Sequence, residues 1–408
     1  MGVADGTVIG AVKIVDNGDP AERFNLVLVA EGYRQSELGK FAADAQHFAN
    51  GLFDIAPFDD HRCAINIWRL DVASDESGAD DPVGCGGTGA TPDTYFDARF
   101  CNGGIRRALV CDTSLVLNTV AAHVPQYHSA QVIVNSDVYG GTGGSVGVSS
   151  TASKNSLGND IDWREIIIHE MGHSIFGLAD EYFYYAGCGI DGPSQNQHDN
   201  IEPSQPNITI SPTATGKWHD LINVSTLPTQ SNPNCSQCPP DLVPEPPNFV
   251  VGTYEGAHYT HCGAYRPSYN CKMRVLGEPF CAVCRREIHE FLMPFDPDFC
   301  FKFDRLDLSR WVAVATILFG VIQDGGGVII VGGKPIPIDP WGPLRHSLWA
   351  AMANPHDASP AMRDTIVGLA MDHLSSLVSS DTHRKQLQTQ TRALINEAAA
   401  ELPTYVIR

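Results

Sequence analysis

The chain has 408 residues, 43% of them hydrophobic, which is enough for a buried core and removes disorder as the default reading. Lys and Arg together number 27 against 47 Asp and Glu, and the resulting formal charge of −20 gives DNA or RNA no electrostatic foothold. Charged residues make up only 18%, below the roughly 25% usual for soluble proteins, so the surface must be rich in Gly, Pro, Asn, Ser and Thr, a balance that leans towards a secreted or cell-surface protein.

The amino terminus, MGVADGTVIGAVKIV, has no basic stretch followed by an apolar one, so no signal peptide is visible there. The β-branched runs VIGAVKIV and FNLVLVAEGY predict two strands between Val8 and Val29. Leu38, Phe41, Ala45, Phe48 and Leu52 then recur at helical spacing within Gln35 to Leu52. CAINIWRLDV, from Cys63 to Val72, alternates as a strand does, and a turn-rich stretch follows to about Phe100. A β-α-β beginning is the simplest account. A helix near Ser114 to His123 and a strand over Ala130 to Asn135 come next. The glycine-rich segment YGGTGGSVGVSS lacks the Gly-Lys-Ser/Thr ending of a phosphate cradle and reads as a mobile rim beside a cleft. It leads into a helix starting around Asp160 that carries IIIHEMGHSIFGLADEY.

From Gly187 to about Pro247 the Pro, Asn, Gln, Ser and Gly content predicts irregular structure pinned by cysteines. The Cys-rich piece Cys262 to Cys284 and a helix from Arg285 to Met293 follow. A domain boundary is expected near Phe303, with residues 304–408 mostly helical, as in the spacing of Met362, Ile366, Leu369, His373 and Leu377. The most apolar run, Trp311 to Ile322, has 12 residues, short of the roughly 20 that a membrane helix needs. Twelve cysteines, an even count, read as disulfides in an oxidising compartment. The pairs Cys235/Cys238 and Cys281/Cys284 are expected to be disulfide-bonded, joining the proline-rich wall to the later Cys-rich segment, with a structural zinc as the alternative. Asn207 (NIT) and Asn223 (NVS) stand in glycosylation triplets.

The chemistry concentrates in HEMGH. His169 and His173 stand four apart, so on a helix both imidazoles project from one face and can reach one metal ion. Glu170 lies about 100° round the same turn, suited to act as general base on a metal-held water without being a ligand. One catalytic zinc is the expected cofactor, and peptide hydrolysis the expected reaction. A third ligand is required. Asp180 lies seven residues beyond His173, after Gly177 could turn the chain back, and its short side chain suits a tight turn; Glu181 is the rival. His258 and His261 are more distant alternatives among the single histidines, which also include His198 and His219. Tyr182, Tyr265 and Tyr269 are candidate transition-state stabilisers, and Arg266 or Arg274 could serve the same end.

HEMGHSIFGLADEY resembles the extended zinc motif of the IgA-peptidase family of metallopeptidases, the igazincins, relatives of the metzincins. FNLVLVAEGY, SDESGAD at Ser74 to Asp80 and CKMRVLGEPFCAVC at Cys271 to Cys284 extend the likeness over roughly residues 20 to 300. The metzincin pattern HExxHxxGxxH has its Gly and third ligand one position earlier, and the displaced, acidic version here is the igazincin one, which puts Asp180 ahead of Glu181. The resemblance implies an α/β, metzincin-like zinc peptidase domain over residues 1–303 with a mixed twisted sheet, a zinc-binding helix and a Cys-rich lower part. Met273 would be its Met-turn residue, beneath the metal. A protein or peptide is the implied substrate. Two other readings stay open: a catalytically silent binding module that keeps the fold, and an amidase acting on cell-wall or small amide substrates.

Overall fold

A computed structural model of the chain describes residues 3–155, 157–185, 187–189 and 192–297, together with the backbone of 328–331 and 334–337. The first run of strands and helices is β1 (Gly6–Val15), β2 (Phe24–Glu31), α1 (Leu38–Leu52), β3 (Ile65–Ser74), α2 (Thr113–His123), β4 (Ser129–Val134), β5 (Gly141–Thr142), β6 (Gly147–Ser150) and α3 (Trp163–Ser174). The six strands form one sheet in the order β1-β3-β2-β4-β6-β5. The inner pairs β3/β2, β2/β4 and β4/β6 are parallel, and the outer pairs β1/β3 and β6/β5 are antiparallel. The sheet is therefore mixed, and the domain is α/β.

The unbroken apolar character of FNLVLVAE has its cause in this order: β2 lies between two parallel neighbours and all its residues are buried. Each fully buried Val or Leu there contributes roughly 1.5–3 kcal/mol of transfer free energy. Phe41, Ala45, Phe48 and Leu52 form the buried stripe of α1, which packs on β2, β3 and α3. α3 lies against β4, β5 and β6 on one side and meets α1 as well, and its Ile166, Ile167, Ile168 and Met171 are all buried.

Glu31 ends β2 inside this core. It accepts hydrogen bonds from the Thr94 hydroxyl (2.7 Å) and the Phe96 and Ala98 amides (3.0 and 2.9 Å), yet burial outweighs them and pushes its carboxyl up to about 7. Next to it Gly32 has φ +67°, and a Cβ would run into the Gly78 carbonyl, whose own amide bonds Gly32 O at 3.0 Å. The segments AEGY and SDESGAD are thus two halves of one structural joint.

The glycine-rich segment forms the β5–β6 end of the sheet, beside the residues of HEMGH, and its glycines serve close approach. A Cβ at Gly147 would overlap the Gln131 amide, and one at Gly143 would lie 2.5 Å from Cβ of His173.

Beyond α3 regular structure thins. A hairpin of β7 (Tyr254–Ala257) and β8 (Thr260–Arg266), unforeseen in the sequence, and α4 (Ala282–Leu292) are the main elements up to residue 292. Side chains satisfy the backbone here in place of ladders. Lys217 Nζ donates to the carbonyls of Pro203, Gln205 and Ile208, and the buried Trp218 indole donates to Gly252 O at 2.8 Å. Disulfides join Cys188 to Cys238 and Cys235 to Cys262, while Cys85 pairs with Cys101 nearer the sheet and Cys63 is also disulfide-bonded. The expected covalent link between the two CxxC pairs is corrected accordingly: Cys235 and Cys238 bond elsewhere, and Cys281 and Cys284 remain thiols.

The chain divides into two units, Met1–Asp298 and Phe299–Arg408. In the second, β9 (Val328–Val331) pairs antiparallel with β10 (Lys334–Pro337). The helices expected beyond Asp304, including the apolar run Trp311 to Ile322, lie outside the described residues. No helix among the described residues is long and apolar enough to cross a membrane.

Candidate metal centre

The helix α3 begins where the Asp162 side chain accepts the Arg164 amide at 3.0 Å, an N-cap contribution of about 1 kcal/mol. Three residues past its end at Ser174, Gly177 adopts the left-handed φ of +62°, and the Leu178 amide reaches back to Gly172 O at 2.9 Å. This turn reverses the chain and returns Asp180 to the helix face that carries His169 and His173.

Three donor atoms converge there. His169 Nε2 lies 3.0 Å from Asp180 Oδ1, His173 Nε2 lies 3.3 Å from the same oxygen, and the two Nε2 atoms are 3.2 Å apart. Each ring's other nitrogen faces a backbone carbonyl: His169 Nδ1 meets Lys272 O at 2.9 Å and His173 Nδ1 meets Leu178 O at 2.7 Å. A carbonyl only accepts, so both Nδ1 atoms carry hydrogen and both Nε2 lone pairs point inward with the carboxylate. Without a cation this triangle needs protons. Burial opposes charge on both imidazoles, but Asp180 outweighs it, raising His169 and taking His173 to about 9. Burial also opposes the Asp180 charge, and the two imidazoles overcome it and hold that carboxyl well below the usual range. Ligands bonded to zinc at roughly 2.0–2.2 Å in a tetrahedron stand about 3.3–3.6 Å apart. The observed edges sit at or just inside that spacing, so donor type, tautomer and distance all fit a divalent cation.

Glu170 stands beside the triangle rather than in it. Its carboxylate comes within 4.8 Å of both histidine nitrogens but makes neither hydrogen bond nor ion pair with them among the described residues. Burial raises its pKa. A Cβ at Gly141 of β5 would lie 3.2 Å from its Oε1, so that glycine opens the space in front of it.

The Cys-rich side supports the helix from below. Met273 is fully buried, and a Cβ on Gly172 would come 2.5 Å from its Sδ, so the glycine in HEMGH admits the thioether against the helix backbone. The Lys272 carbonyl bonds His169, and the Met273 carbonyl accepts the Glu181 amide at 2.8 Å. Asn207 holds the returning strand: its side chain accepts the Ala179 amide and donates to Ala179 O, both at 2.8 Å, and to Glu181 Oε1 at 3.0 Å. Asn207 is buried, so this triplet is not a glycan site in the folded chain, whereas Asn223 is exposed.

Two side chains that sequence reasoning passed over complete the surroundings. The Tyr259 hydroxyl donates to Asp180 Oδ2, and Tyr185 stacks on the Tyr259 ring at 4.1 Å. Arg107 lies 5.8 Å from the Tyr182 ring. Neither sits near HEMGH in the chain; a left-handed Tyr259 (φ +63°) at the β7–β8 turn gave no sequence signal.

The other candidates divide. Tyr182 is in the neighbourhood, its ring 5.2 Å from that of Tyr259. Glu181 points away from the histidines towards Asn207 and the thiols, which corrects its place as rival third ligand. Tyr269 bonds Asp241 (3.3 Å) and Leu242, and Arg274 Nη1 bonds Tyr269 O and Asn270, both at 2.6 Å. Arg266 is buried against Tyr269 O and the Glu255 and Gly256 carbonyls. Tyr265 pairs through its backbone with Thr209. None of these joins the histidines. His258 meets His198 at 3.0 Å, His261 faces Cys235 O at 2.9 Å, and His219 faces Thr213 O at 2.9 Å, so none of these four imidazoles enters the triangle.

A family model described as IgA Peptidase M64 matches residues 12–235 and 242–292, which include His169, Glu170, His173 and Asp180. Comparison with curated proteins finds no match.

Proposed function

The chain belongs to the IgA peptidase M64 family of metallopeptidases, and from that premise we propose that it is a zinc-dependent, metzincin-like endopeptidase with Glu170 as its general base. The observation that carries the reading is the triangle of two Nε2 lone pairs and one Asp180 oxygen, 3.0–3.3 Å on a side, with both Nδ1 atoms tied to carbonyls. His169, His173 and Asp180 would hold the ion. When bound, zinc supplies a Lewis acid that polarises a peptide carbonyl and acidifies water.

The remaining steps belong to the chain. Tyr259 fixes the Asp180 carboxylate through its second oxygen, and the Lys272 and Leu178 carbonyls fix the ring orientations. Glu170, raised in pKa by burial, takes the proton from the attacking water and returns it to the leaving amine. Tyr182 is the best situated of the three tyrosines to donate towards the carbonyl oxygen, since its ring lies 5.2 Å from that of Tyr259, the partner of Asp180, while the Tyr269 hydroxyl lies with Asp241 and Leu242. Met273 would form the Met-turn floor. Disulfides around the site favour an oxidising, extracellular setting. The catalytic domain would span residues 1–303, with 304–408 a separate region.

A silent binding module would have no use for Glu170 beside both histidines, so the enzyme reading is preferred. Glu170→Ala tests it on an unfolded protein substrate: the rate falls by at least ~10²-fold while the metal that His169→Ala removes is retained. Undiminished hydrolysis in Glu170→Ala would end the mechanism.

A further inference from the structure

Behind the triangle lies a second convergence of donors. Glu181, Cys271, Cys281 and Cys284 are each fully buried, and one ligand atom from each lies within 4.8 Å of all the others. Cys271 Sγ and Cys284 Sγ are 3.7 Å apart, and Glu181 Oε1 is 3.4 and 3.9 Å from the sulfurs of Cys284 and Cys281. We propose that these four residues form a structural zinc site, distinct from the one at His169 and His173 and independent of the reading of that site.

Four observations carry it. First, other cysteines of the same chain are oxidised, with Cys85, Cys188 and Cys235 each in a disulfide, yet these three thiols stay unbonded in one another's reach. Second, Glu181 Oε2 is buried without a hydrogen-bond partner among the described residues, and a cation would give it one. Third, backbone amides point at sulfur: Cys281 N donates to Cys271 Sγ at 3.3 Å and Cys284 N to Cys281 Sγ at 3.5 Å. Such donors stabilise thiolates, the form in which sulfur binds metal. Fourth, zinc–sulfur bonds of roughly 2.3 Å place tetrahedral sulfurs about 3.8 Å apart, close to the sulfur separation found here.

Charge and connectivity agree. Binding would release the thiol protons to solvent and leave three thiolates and a carboxylate around one dication, and the buried Arg266, attracted to Glu181, supplies positive charge in the same interior. The ion would knot the start of α4, the turn before Met273 and the residue next to Asp180. Its work is to hold the floor and the returning strand of the first site, not to react.

X-ray absorption at the zinc edge on the purified full chain tests this without any substitution, because the first site offers only nitrogen and oxygen. We expect a sulfur shell at about 2.3 Å, roughly two zinc ions per chain, and alkylation of Cys271, Cys281 and Cys284 once the protein is denatured with chelator. Cys281→Ser/Cys284→Ser abolishes the sulfur shell; if that variant does not fold, the spectrum of the unaltered chain decides. A shell of light atoms alone, or a disulfide among the three cysteines, overturns the proposal. Neither result touches the peptidase reading, which stands or falls with Glu170→Ala.

Discussion

The two sides of the metal centre are stabilised by different means. Residues 6–174 build a sheet whose central strand is wholly buried and whose helices present apolar stripes, so hydrophobic burial and backbone ladders hold it. The described residues of 175–292 have one hairpin and one α-helix, and are held by two disulfides, by Lys217 gathering three carbonyls, and by buried amides such as Asn207. The proposed base and two histidine ligands come from the first side; Asp180, the Lys272 carbonyl, Met273 and Tyr259 come from the second. The contrast teaches that the regular side fixes the angle between the imidazoles, while the irregular side completes the site and sets its depth.

The sharpest way to break this comparison is to remove the irregular side's proposed ligand. Asp180→Ala should cost the site its metal and lower peptidase rate by more than ~10²-fold, with far-ultraviolet circular dichroism unchanged; a variant that keeps metal and rate would show that the helix suffices alone. Next in size are the covalent ties. Opening loops of separation 27 and 50 releases about 3–4 kcal/mol of chain-entropy stabilisation each. Cys235→Ser/Cys262→Ser should therefore lower the guanidinium midpoint and expose residues 192–250 to protease before the sheet yields.

The regular side has its own signature in pH. Glu31 is pushed from an ordinary 4.5 up to about 7. Between those values the unfolded chain has lost the proton and the folded chain keeps it, so stability falls as pH rises, by about 3 kcal/mol in all. Urea midpoints across that interval should show the slope, and Glu31→Gln should flatten it. The smallest effect lies at the seam. Gly172→Ala puts a methyl into Met273 and should cost about 1–3 kcal/mol, most of it recovered in a Met273→Ala background; additive costs would mean that the two sides do not touch there.

Legibility followed the range of the contacts. β2, α1 and HEMGH were readable because burial between parallel strands and a four-residue spacing leave local patterns, and Asp180 was reachable because Gly177 announces the turn before it. Tyr259 and Asn207 were not, since each acts on Asp180 or its neighbours across a long loop. The disulfide partners were equally hidden, because spacing alone does not select among many pairings. The close approach at Gly143 and Gly147 was hidden for the opposite reason: glycine marks both slack and tight approach, and only the packed neighbour distinguishes them.

Asp180 and Glu181 share a peptide bond yet address different donor sets, one facing imidazoles and the other thiols. Consecutive residues of an extended segment project to opposite sides, so this dipeptide works as a two-pronged plug whose prongs have unequal reach. Insertion or loss of a single residue between Gly177 and Asp180 would turn the longer prong to the histidines and the shorter one to the sulfurs, unseating both at once. Evolution can therefore vary the length of the loops on either side of this stretch far more freely than the count of residues within it.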